Sequence, residues 1–167
     1  MPDTMQMMLR KSVALGAGLL LILLASRAAV VATGKVDGTF LVAGTDAKLA
    51  NVRAVRTKLD EKGRMGFAVL LSARPAEGDI SSWKTAQPSE RGSFIYLVLE
   101  PNGSVWVAEL GHASAKSGRF GVVTEVTTSG FRVQGNQLAV TVRTEGEQQF
   151  TADRYTINLR VEATVEK

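Results

Sequence analysis

The chain has 167 residues, no cysteine, a single histidine and a net charge of +4. Without thiols it has no disulfide framework and no thiolate metal site, and one histidine is too few for a zinc centre built on imidazoles. Its lysines and arginines are interspersed with acids and form no basic run, which argues against a nucleic-acid partner.

Residues 1–32 form a regime of their own. Arg10 and Lys11 precede the apolar run VALGAGLLLILLA at 13–25, and small residues lead on to Val30, Val31 and Ala32. A positive start, an apolar middle and a small-residue tail are the layout of a secretory signal peptide. Cleavage is expected after Ala32, with Ala28 as the alternative. The competing reading is a permanent anchor. As a helix this run reaches only about 20 Å at ~1.5 Å per residue, whereas a bilayer core wants roughly 20 residues. Extending the span to Ala32 supplies the length but places Arg27 inside it. With no cysteine, a lipid-modified N-terminus is excluded. The chain is therefore expected to be exported, periplasmic or extracellular in a bacterial envelope, and held at the membrane only through an uncleaved N-terminal segment. Without residues 1–32 the net charge falls to +2, because Arg10, Lys11, Arg27 and Asp3 leave together.

The remainder, 33–167, is the size of one domain and can bury a core without staples. Period-two alternation dominates it. Strands are expected at 35–42, 49–57, 66–72, 94–100, 104–110, 120–128, 131–134 and 137–144. The last strand is the clearest: Tyr155, Ile157, Leu159, Val161, Ala163 and Val165 alternate with polar residues, so one face is apolar and the other wet. Pro101-Asn102-Gly103 and Gly135-Asn136 are turn signals that predict two hairpins. A third hairpin is expected across Gly44-Thr45-Asp46, leading into the 49–57 strand, with a bulge near Ala50-Asn51 where alternation breaks. The irregular stretch 73–92 carries Pro75 and Pro88. It is expected to form a single helical turn near Asp79 to Lys84, with Trp83 folding back onto the sheet. This pattern predicts an all-β fold, an antiparallel two-sheet β-sandwich of jelly-roll or Ig-like type, with a closed barrel as the runner-up.

Chemical signatures are sparse. There is no phosphate-binding GxxxxGK[ST], no dinucleotide GxGxxG between a strand and a helix, and no GxSxG nucleophile elbow. No cofactor is expected. Polar residues concentrate in ELGHASAKSGRF at 109–120, where a Ser-His-acid set can be assembled on paper from Ser114 or Ser117 with His112. A triad is defined by geometry rather than by sequence proximity, so this spacing does not select catalysis. A recognition loop fits the residues better: Lys116, Ser117 and Arg119 offer two cations and a hydroxyl around Gly118, and His112 would add pH dependence. An ordinary solvated loop between two strands explains the same residues. Of the aromatics, Trp106 and Trp83 are candidate partner or lid residues. The functional expectation is a binding or structural role in the cell envelope, toward a protein or another envelope component. The alternatives are a carrier of a small anionic or amphipathic ligand through the 109–120 loop, and an envelope hydrolase using it.

Overall fold

A computed structural model describes residues 34–116 and 121–167. The segment expected to be a signal peptide, Ser117 and Arg119 lie outside the described residues. The fold is all-β, as the alternation predicts. Its organiser is the C-terminal strand, β11 (Asp153–Glu166), which buries Tyr155, Ile157, Leu159, Val161, Ala163 and Val165 and leaves the residues between them exposed or half-exposed. Its length lets it serve several neighbours. It pairs antiparallel with β1 (Gly34–Val42), with β9 (Gln137–Thr144) and with the short β10 (Gln148–Phe150). At its end Val165 and Glu166 pair in parallel with Ala54 and Val55 of β3 (Asn51–Lys58).

From β3 the chain continues as an antiparallel meander through β4 (Met65–Ser72), β5 (Phe94–Leu99), β6 (Val105–Gly111) and the two-residue β7 (Gly121–Val122). Two further strands complete the set: β2 (Thr45–Asp46) folds back on β1, and β8 (Val126–Gln134) pairs with β9. The strands form one hydrogen-bonded sheet, curled as a half-barrel around a core that includes Phe40, Val69, Leu97, Leu110, Val142 and Ile157.

A second, smaller core lies on the other face of β4 and β5. β4 is buried on both sides from Gly66 to Ser72, because the 73–92 segment is strapped across Ala68, Leu70, Phe94 and Tyr96. Ile80 and Ala86 are fully buried there, and the Trp83 ring meets Phe94 at a tilt at 5.6 Å and Tyr96 edge-on at 5.7 Å. The strap is bonded as well as packed. Arg53 donates from Nη1 to the Ala76 and Gly78 carbonyls at 3.2 and 2.7 Å, and the Tyr96 hydroxyl donates to Ile80 O at 3.3 Å.

Four local expectations need correction. The helical turn is α1 (Trp83–Ala86), started by Ser82, whose side chain accepts the Thr85 N–H, and followed by a 3-10 turn at Pro88–Arg91. The third hairpin stops at Asp46: β3 does not return along β1 but pairs with β4 and β11. The register of β3 against β4 is unbroken from Asn51 to Lys58, and the bulges fall instead opposite Val98/Leu99 and between Ser129 and Arg132. The strand expected over 120–128 and the one over 131–134 are redistributed. Gly121–Val122 pairs with β6, while Val126–Gln134 is a single bulged strand on β9.

Candidate functional site

Residues 109–116 lie at one end of the half-barrel, beside the β1–β2 hairpin and the start of β11. His112, directly after β6, is 1% exposed. Its ring meets Phe40 edge-on at a centroid distance of 5.1 Å, and its Nδ1 accepts the Ser114 N–H at 3.0 Å. An accepting Nδ1 places the ring proton on Nε2, which is sealed from solvent without a hydrogen bond of its own. Burial pushes the imidazole below its ordinary pKa, and the carbonyls of Thr45 and Phe40 and the carboxylates of Asp46 and Asp153 oppose that only in part.

The rest of this loop is likewise tied through backbone donors. The Ala113 N–H donates to Ser93 Oγ at 3.0 Å, and the Lys116 N–H donates to both oxygens of buried Asp153 at 3.2 and 3.0 Å. The exposed Lys116 side chain and the core-facing His112 ring therefore belong to different surroundings. His112 engages a serine backbone here, not a serine hydroxyl. Glu109 is buried on β6 opposite Tyr96.

The opposite end holds a different arrangement. On β3 the inward positions run Val52, Ala54, Arg56, so the core face ends in a guanidinium. On β4 the corresponding series ends in Phe67 and then Met65, which is 41% exposed. These side chains, with Phe131 and Arg132 of β8 and the turn at Pro101-Asn102, line an open groove of about 780 Å³. Arg56 lies over the Phe67 ring at 5.2 Å, and Phe67 meets Phe131 at 5.7 Å.

Phe131 owes its place to two local features. The bulge between Ser129 and Arg132 re-aims β8. Gly103, at φ +88°, leaves room for the ring, since a Cβ there would sit 2.3 Å from Phe131 Cγ. Thr128 Oγ1 fastens the two by donating to Gly103 O at 2.6 Å.

Charge at this end is divided between paired and unpaired groups. Arg64 bonds Asp60 at 2.7 Å and Glu100 at 3.4 Å and lies 5.0 Å over Trp106, itself 46% exposed. Arg53 and Glu166 form a bidentate pair. Among the described residues Arg56 and Arg132 are exposed and form no salt bridge, and the exposed Glu162 lies across β9 from Arg132 on the outer face of the sheet. An aromatic floor with Arg56 above it and Arg132 at the rim can hold a group that is anionic at one side and apolar at the other.

No protein-family model, no curated protein and no solved structure matches this chain. The site therefore rests on its own geometry. Of the candidates read from sequence, Trp106 stands on the surface near this groove, and Trp83 is half-buried in the strap. Arg56, Phe67, Phe131 and Arg132 were not among them. The available signal was Arg56, a charge at core parity after Val52 and Ala54.

Proposed function

We propose that the chain is an exported cell-envelope β domain with a binding role, and that the groove between β3, β4 and β8 receives an amphipathic anion. The observation that carries this reading is Arg56 lying over the Phe67–Phe131 floor with Arg132 at the rim of the same groove, neither of them in a salt bridge among the described residues. The expected two-sheet sandwich gives way to one curled sheet, and the groove opens at the end of that half-barrel away from His112. The packed core within the curl favours a ligand seated in this open mouth over one carried in an enclosed cavity.

Titration calorimetry of hexyl phosphate into the full chain, held in nanodiscs of neutral lipid, tests the reading. Saturable binding is expected, with hexanol giving none. Arg56→Ala and Arg132→Ala should each weaken binding by about two- to fivefold, the scale of an exposed charge-assisted contact. Arg143→Ala, on the outer face of β9, should leave it unchanged. Equal affinities for all the variants would refute the groove as the site.

A further inference from the structure

The groove shares its end of the molecule with the point where the chain enters the fold. Gly34 opens β1 opposite Ala163, next to the β3–β11 junction at Val165 and Ala54. The β8–β9 turn sits on that junction, with the Val165 N–H bonded to Asn136 O at 2.7 Å. In the sequence, only eight residues separate Gly34 from the apolar run that ends at Ala25. Eight extended residues reach no further than about 28 Å. β1, with its nine residues, is itself about 30 Å long. An apolar segment seated in a bilayer thus presents the groove end to the lipid surface and holds the His112 end away from it.

The side chains at this end suit such a surface. Among the described residues, the exposed large hydrophobics are Met65 and Trp106, and both are here. Tryptophan is enriched at membrane–water boundaries, where its ring is half apolar and half hydrogen-bonding. Three of the acids nearby are neutralised, Asp60 and Glu100 by Arg64 and Glu166 by Arg53, while Glu162 stands on the outer face between Arg132 and the cross-strand Lys35. Arg56 and Arg132 are left to meet an anionic headgroup, an attraction of the kind that draws basic residues to anionic lipid.

We infer that this end of the domain docks on an anionic membrane surface, a phospholipid headgroup lying between Arg56 and Arg132 while Trp106 and Met65 enter the interface. The inference rests on the groove reading above and names its ligand. It holds whether the N-terminal segment is later cut or kept, because the surface that meets the lipid belongs to the folded domain.

The test uses the full chain in nanodiscs whose acyl chains carry bromine, a contact quencher of tryptophan. Trp83→Phe leaves Trp106 as the single reporter, and Trp106→Phe leaves Trp83 as the control. Should Trp83→Phe fail to fold, the difference between the unmodified chain and Trp106→Phe isolates the same signal. Trp106 emission is expected to drop in brominated anionic discs, to recover in high salt, and to recover in the Arg56→Glu/Arg132→Glu variant; Trp83 should stay bright. A Trp106 signal equal in brominated and plain anionic discs overturns the docking, as does quenching of Trp83 instead. Quenching that survives both the double variant and high salt overturns the headgroup site. If hexyl phosphate still binds while Trp106 stays bright, the groove reading stands and the membrane inference alone falls.

Discussion

His112 is the residue at which burial and protonation conflict most directly. In the neutral form its Nδ1 accepts the Ser114 N–H. A second ring proton would set two donors against each other there while moving a charge into a site that is 1% exposed. The imidazole pKa therefore lies lower in the folded protein than in the unfolded chain. The unfolded state then binds more protons wherever the pH is between the two values, so stability rises with pH through that window. The contribution is fully present above about pH 6.5, the unfolded value, and is lost progressively as the pH falls toward the folded value. Urea midpoints should drop between pH 7.5 and pH 5.5. In His112→Asn, whose side-chain oxygen can still accept from Ser114, the loss of the ring against Phe40 should cost about 1–3 kcal/mol at neutral pH. The pH dependence over that interval should flatten. An equally steep fall in the variant would assign the titration to other groups.

At the scale of elements, the strap at 73–92 shows what an irregular stretch contributes to a β fold. Ile80, fully buried between Ala68, Leu70 and Tyr96, is its apolar pin. Ile80→Ala should destabilise the protein by about 2–4 kcal/mol through lost transfer energy and the cavity left behind. Amide exchange should quicken first in the strap and along the outer face of β4 and β5. A loss under about 0.5 kcal/mol, the scale of an ordinary surface change, would show that the strap is not part of the cooperative unit. The sequence carried a trace of this cover: GFAVLL in β4 is apolar at every position, the mark of a strand buried on both faces, whereas β11 alternates cleanly and could be read at once. Both predicted tight hairpins could likewise be read, because Pro101-Asn102-Gly103 and Gly135-Asn136 specify their turns locally. The bulge in β8 and the partners of β3 could not. A bulge removes the period by which strands are recognised, and β3 finds β11 across more than a hundred residues of chain. The groove was hidden for the same reason, since Arg56, Phe67 and Phe131 come from three strands that only the curl of the sheet brings together.

For the molecule as a whole, the decisive joint is the last turn of pairing in β11. Among the described residues the β1–β11–β9–β8 portion and the β3–β7 meander share one direct ladder, Val165 with Ala54 and Glu166 with Val55. Next to that ladder the Arg53 guanidinium, 7% exposed, is held by the Glu166 carboxylate while its Nη1 reaches the strap at Ala76 and Gly78. One ion pair thus ties both portions of the sheet and the strap to a single point. Removing only the carboxylate leaves a buried cation without its bonded counter-charge, Asp79 acting only at longer range, a loss that typically costs about 3–5 kcal/mol. Glu166→Ala should lose stability on that scale, far more than an exchange near the end of a strand ordinarily does. Arg53→Met combined with Glu166→Ala should then be more stable than Glu166→Ala alone, because the stranded charge is gone and an apolar stem of similar length fills its place. Chemical denaturation of the two single variants and the double variant forms a closed cycle. A double variant whose loss equals the sum of the single losses would show the two residues acting independently, and the joint between the portions would have to be sought in the packing of Val165 and Gly34 against Val52 and Ala54 instead.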